Sequence, residues 1–164
     1  MSNIHFTHGP GRATLAVMST DTTSQQNREL ISSIFTALAR GDTGPFGEAM
    51  SDDFRWRFAG GWSWVRDWGH SRREVRSNLL QPLMAQFAEY RASAEEIIVD
   101  GDRVVVRARA EARTVRGDSY QQAYCYVFRL AAGRLTEVIE YCDSALVERV
   151  LELPPAAGPA AEFE

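Results

Sequence analysis

Residues 103–143 read RVVVRARAEARTVRGDSYQQAYCYVFRLAAGRLTEVIEYCD. From Arg103 to Arg113 small or branched apolar residues alternate with charges, and the same period of two returns in Tyr120 to Leu130 and in Leu135 to Asp143. That is the spacing at which side chains stand on alternate faces of a strand, so the stretch predicts an antiparallel meander turned at Arg116-Gly117-Asp118 and Ala131-Ala132-Gly133. A two-residue turn at Gly117-Asp118 sets Arg109 opposite Tyr126 and Glu111 opposite Tyr124. A three-residue turn with Gly133 left-handed pairs Leu130 with Arg134 and sets Tyr126 opposite Val138 and Tyr124 opposite Glu140. One face then carries Arg107, Arg109, Glu111, Tyr124, Tyr126, Phe128, Val138, Glu140 and Cys142. Covering that many charges and phenols is costly unless they pair with one another or with a ligand. The reverse face, with Val106, Ala108, Ala110, Ala112, Ala123, Cys125 and Val127, is small and smooth. Helices on the small face would leave the polar row in water, whereas helices on the polar row would make it a pocket wall. Periodicity alone leaves both arrangements open.

Upstream, Tyr90 to Val99 reads as a further strand, joined through the tight turn Asp100-Gly101-Asp102. Ser71 and Glu74 have capping-box spacing at the head of a helix over about 72–88, with a kink or break expected at Pro82. Before it lie Trp62, Trp64 and Trp68, then the alternating strand Phe54 to Phe58, and a short helix from Phe46 to Met50 opened by Pro45. The first helix is capped by Thr23 or Ser24, carries the stripe Leu30, Ile31, Ile34, Phe35 and Leu38, and stops at Gly41. Residues 1–23 and 154–164 are polar or rich in Gly and Pro and read as disordered tails. A single domain over 24–153 remains, with helices first and a bent, mainly antiparallel sheet afterwards, which is an α+β fold.

With 164 residues there is one core and no room for a second domain. The formal charge of −4 argues against a nucleic-acid partner, because neutralising phosphates needs a basic face. All 18 basic residues are Arg, so a lysine Schiff base is excluded. Cys125 and Cys142 fit no metal spacing and are expected as free thiols; His5, His8 and His70 form no ligand cluster, so no metal is expected. No apolar run approaches the roughly 18 residues of a membrane span, which makes the cytoplasm the expected compartment.

Several short segments in order carry a resemblance: Ala39-Arg40-Gly41-Asp42, Asp52-Asp53-Phe54-Arg55-Trp56, Asp100-Gly101-Asp102-Arg103-Val104, Gly117-x-Ser119-Tyr120, Gly133-Arg134-Leu135 and Glu140-Tyr141-Cys142-Asp143. Over roughly residues 26–150 the chain resembles the nuclear transport factor 2-like superfamily, which includes ketosteroid isomerase, scytalone dehydratase, limonene epoxide hydrolase and the SnoaL-like cyclases. The resemblance implies a cone-shaped (cystatin-like) roll, about three N-terminal helices packed on the concave face of the sheet, a pocket between them, and a homodimer through the convex face. Aligned without gaps from Arg107 to Asp143, the catalytic Arg of limonene epoxide hydrolase falls on Arg107, its first Asp on Arg109 and its water-activating Asp on Glu140. Arg109 thus stands where that enzyme has an acid, with Glu111 two residues along, and its water-holding Tyr and Asn fall near Trp56 and Phe58, which do not match.

These readings converge on a cofactor-independent acid–base enzyme of isomerase, hydratase, hydrolase or cyclase type, acting on a small, largely apolar molecule. Glu140 is the expected base, Arg109 and Arg107 are expected to orient it or to bind an anionic substrate group, and Tyr124 and Tyr126 are the expected proton donors. Tyr126, Glu111, Phe128, Val138, Cys142, Trp56, Trp62, Trp64 and Asp143 are expected around the ligand, Asp143 having the alternative of capping the segment after it. No cofactor is expected. The alternative is a dimeric small-molecule-binding or accessory protein using the same pocket.

Overall fold

The computed structural model describes the backbone of residues 11–155 and the side chains of residues 21–155. Helix α1 (Gly11–Leu38) and the short α2 (Gly44–Ala49) lead into strand β1 (Met50–Phe58). A tryptophan-rich loop follows, then a helical segment made of α3 (Arg72–Val75), a π-turn (Arg76–Leu80) and α4 (Gln81–Met84). Strands β2 (Phe87–Asp100), β3 (Arg103–Thr114), β4 (Ser119–Ala131) and β5 (Arg134–Cys142) complete the sheet, and α5 (Ser144–Val150) closes the domain. The curved sheet has the order β1-β5-β4-β3-β2, antiparallel except where β1 lies parallel to β5.

Helix α1 starts before the cap expected at Thr23 or Ser24, so the expected tail over 1–23 is helical from Gly11; residues 1–10 and 156–164 lie outside the described part. Ser24 serves tertiary structure instead. Its hydroxyl accepts from Gly101 N–H at 3.2 Å, and buried Asn27 donates to Gly101 C=O at 2.8 Å, tying the helix to the β2–β3 turn. Downstream of that tie Ile31, Ile34 and Phe35 are buried against the concave sheet face. The helical backbone over 72–84 continues through Pro82 rather than breaking there. Proline offers no N–H and crowds the carbonyl four residues back, and here the preceding turn widens, with Gln81 N–H bonding Arg76 C=O five residues behind. At its head Ser71 Oγ accepts from Glu74 N–H at 3.2 Å, while the Glu74 carboxylate turns to His70 N–H at 2.8 Å. Gly69, with φ +122°, allows that closure, because a Cβ there would stand 2.3 Å from Glu74 Cβ.

The register of β3 against β4 corrects the sequence reading. The connection is a five-residue loop, Thr114 to Asp118, with Arg113 paired to Ser119. It is closed by Thr114 N–H to Asp118 C=O at 2.9 Å and Asp118 N–H to the Thr114 hydroxyl at 3.0 Å, with Gly117 at φ +92°. The shift from the expected pairing is an odd number of residues, so it turns β3 over relative to β4. Tyr126 lies beside Val106 and Tyr124 beside Ala108, while Arg107 lies beside Cys125 and Arg109 beside Ala123. The β4–β5 turn is also tighter than expected, a two-residue turn with Ala132 at φ +50° and Gly133 at φ +72°, followed by a bulge. That shift is even: the faces are kept, and Tyr126 comes to lie opposite Glu140 and Tyr124 opposite Cys142.

The concave face therefore joins the small row of β3 to the aromatic row of β4. Val104, Val106, Ala108 and Ala110 are buried beside Tyr120, Gln122, Tyr124, Tyr126 and Phe128. The convex face holds the charges, together with the row Ile98, Val105, Val127 and Ile139 across four strands. Among the described residues no helix is long and apolar enough to cross a membrane.

Candidate active site

A cavity of about 390 Å³ lies between the helices and the concave face. Rings form much of its wall, among them Phe35, Phe46, Trp56, Phe58, Trp64, Phe87, Tyr90, Tyr120, Tyr124 and Tyr126. Of the lining side chains with charge or titratable groups, Glu140, Tyr120, Tyr124 and Tyr126 are buried and Tyr90 is half-buried, whereas Arg76 and Glu48 are exposed at the mouth. The small residues of β3 make room for this arrangement: Ala112 lies beside Tyr120, Ala108 beside Tyr124 and Val106 beside Tyr126.

Glu140 is 6 % exposed. Its Oε2 accepts the indole N–H of Trp56 at 3.0 Å, a bond possible because β1 runs parallel beside β5. Burial pushes its pKa from 4.5 up to about 8, although the bonds from Trp56 and the Cys142 thiol hold it down somewhat. Burial likewise raises Tyr90 to about 12 and lifts Tyr120, Tyr124 and Tyr126, so all four phenols remain proton donors at neutral pH. They are linked. Tyr120 and Tyr124 hydroxyls stand 3.3 Å apart, Gln122 Nε2 donates to Tyr120 at 3.2 Å, and Tyr90 bonds Tyr124 and Tyr126. The rings of Tyr124 and Tyr126 stack with centroids 5.0 Å apart. The fully buried Gln122 also grips Asp143 N–H and C=O at 3.0 Å each, which locks the exit of β5 to the phenol row. A carboxyl with a neutral-range pKa beside four phenol donors, with no cation paired to it, is an arrangement suited to moving protons at a carbonyl compound.

Glu140, Tyr124, Tyr126, Trp56 and Trp64 are thus brought together around the cavity. Arg107, Arg109 and Glu111 are not. They stand exposed on the convex face, where Arg109 Nε meets Glu95 at 2.9 Å and Arg107 meets Glu96 at 3.1 Å. The physical reason is the five-residue loop, which turns their strand over and leaves the charges in water at small cost. Phe128 and Val138 share the concave face but lie fully buried outside the cavity, Phe128 packing edge-on to Phe35 and Phe46. Trp62 stacks on Trp64 and donates to Ala59 C=O at 2.8 Å without lining the cavity. Cys142 touches Glu140 rather than the cavity, and Asp143 caps α5 by accepting Leu146 N–H at 3.1 Å. Both cysteines are free thiols. Tyr90, Phe46, Phe58 and the helical residues Arg76, Leu80 and Met84 were missed in the sequence. Tyr90 and Tyr120 follow from the register once the loop is known, but the helical side chains give no sequence signal beyond amphipathicity. Among the described residues no three His, Cys, Asp or Glu side chains converge to hold a metal ion.

Helices laid on the concave face of a curved five-stranded sheet, over an aromatic cavity, define a nuclear transport factor 2-like α+β protein. The chain belongs to the SnoaL-like family, whose domain pattern matches residues 31–138. Solved structures share the fold. Bal32a, from a soil-derived mobile gene cassette, is 19 % identical with a TM-score of 0.67, over 79 % of this chain and 99 % of that one. An NTF2-like protein of unknown function from Burkholderia pseudomallei is 24 % identical with a TM-score of 0.65, over 77 % and 97 %. TerC, co-crystallised with polyporic acid, is 19 % identical with a TM-score of 0.63, over 76 % and 97 %. No curated protein matches the chain.

Proposed function

We propose that the chain is a cofactor-independent acid–base enzyme that transfers protons next to the carbonyl of a small, flat, largely apolar molecule, as isomerases and cyclases do. The observation that carries this reading is Glu140, buried without a cationic partner at the floor of an aromatic cavity and held near a pKa of 8. A base whose pKa lies near the working pH combines a usable ionised fraction with enough basicity to take a proton from carbon. At pH 7 about one molecule in ten carries the Glu140 carboxylate. The phenols of Tyr90, Tyr124 and Tyr126 supply donors to the oxygen on which negative charge develops, in a site from which the aromatic walls exclude water. Glu140 then returns the proton at the same or a neighbouring carbon, and the cycle is complete without a cofactor.

The test needs no knowledge of the natural substrate. Solvent deuterium exchange into the α-carbon of cyclic aryl ketones, 2-tetralone first, is followed by proton NMR with and without protein. The expected result is an accelerated exchange whose rate rises with pH through an inflection near 8, because the base is the ionised form, and which Glu140→Gln abolishes. Ketones that bind but exchange at the uncatalysed rate would sink the catalytic reading and favour the binding or accessory role.

A further inference from the structure

We propose that Arg76 is an anion anchor at the mouth of the cavity, and that the ligand is an aromatic carbonyl compound carrying an acidic group at the end remote from Glu140. This deepens the preceding reading and rests on it. Three arginines surround the junction of α2, β1 and the helical segment, and two of them are occupied. Arg72 donates to Met50 C=O at 3.3 Å and to the Asp52 carboxylate at 2.8 Å, and Arg134 donates to Glu48 C=O at 3.0 Å. Arg76, one turn beyond Arg72, has no ion pair or side-chain hydrogen bond within the described residues, and it lines the cavity.

Two local features hold it there. Gly47 offers no side chain, and a Cβ at that position would touch the Arg76 guanidinium at 3.6 Å, so the group lies against bare α2 backbone. The widened turn forced ahead of Pro82 begins at Arg76, and turns of this kind recur at functional sites. The chemistry at the two ends of the cavity differs in kind. At the floor a mostly protonated carboxyl and phenols offer hydrogen bonds to a neutral carbonyl oxygen, whereas at the mouth a guanidinium fork offers paired donors and charge to a carboxylate or an acidic enol. Aromatic walls between them fit a flat ring system. Glu48, the other charged residue at the mouth, lies beyond ion-pair distance of Arg76 and would repel the same anion.

Binding of anthraquinone-2-carboxylate and of its neutral carboxamide is measured by quenching of tryptophan fluorescence, since Trp56 and Trp64 line the cavity. The wild type is expected to bind the carboxylate more tightly than the carboxamide, by roughly tenfold, the size usual for a charge-assisted hydrogen bond at a partly open site. Arg76→Gln should remove that preference while leaving carboxamide binding intact, and Glu48→Gln should enlarge it. Equal binding of both probes by the wild type, or a preference that survives Arg76→Gln, overturns the anchor while leaving the proton-transfer reading standing. Failure of both probes to bind the wild type overturns the proposed ligand class, whereas the proton-transfer reading still answers to the deuterium exchange of 2-tetralone.

Discussion

At the scale of single residues, Glu140 is a carboxyl whose protonation the fold moves towards neutral pH. Its carboxyl is buried, and the two groups that bond it, an indole N–H and a thiol, are neutral, so they offset only part of the desolvation of the charge. The folded chain binds this proton up to about pH 8, the unfolded chain only up to about 4.5. Between those values the native state holds more protons than the unfolded state, so stability falls as pH rises through the window, by at most a few kcal/mol. Glu140→Gln carries no such proton. Urea denaturation at pH 5 and pH 9 should therefore show the wild type losing stability relative to Glu140→Gln at the higher pH. An unchanged difference between the two pH values would mean that Glu140 is not buried uncharged. The placement of this carboxylate on a strand face beside tyrosines was legible in the sequence. Its lack of a cation was not, because the expected partners Arg107 and Arg109 depend on register.

At the scale of elements, one loop separates the sequence reading from the structure. The period of each strand, the bounds of β3, β4 and β5 to within a residue and the glycines at the turns were visible, yet β1 and β2 run longer than read, and Gly117-Asp118 suited a two-residue turn as well as the tail of a five-residue loop. Hydrogen bonding from Thr114 to Asp118 selects the longer one. The composition of β3 held a further clue. With Val104, Val106, Ala108 and Ala110 inside, the charges of the strand reach water, whereas the opposite choice would bury two guanidiniums and a carboxylate. The convex position of Arg109 has a direct check. It pairs with Glu95 in the open, where such pairs contribute little. Arg109→Ala is expected to change neither the 2-tetralone exchange rate nor, measurably, the urea midpoint. A large loss of exchange would put Arg109 back in the site.

At the scale of the whole molecule, the helices first and the curved sheet afterwards were readable from punctuation, and the family match bears out that architecture. The cavity was expected only through the family resemblance and not from the residues themselves, because empty space is a property of how elements fit and not of any one of them. It is a departure from the close packing of protein interiors, which leaves the walls without dispersion partners and lowers stability relative to a filled core. Ala92 on β2 tests this. It is 2 % exposed, lines the cavity, and stands where a larger side chain would extend into the space. Ala92→Leu adds three carbon atoms, and at about 0.8 kcal/mol per buried methylene the gain could reach roughly 2 kcal/mol if the wall relaxes without strain. The urea midpoint is expected to stay level or rise while anthraquinone-2-carboxylate binding falls at least tenfold, the usual opposition between a filled core and a working site. A variant that is strongly destabilised yet still binds the probe would mean that the space above Ala92 is already occupied by protein, and that the ligand enters elsewhere.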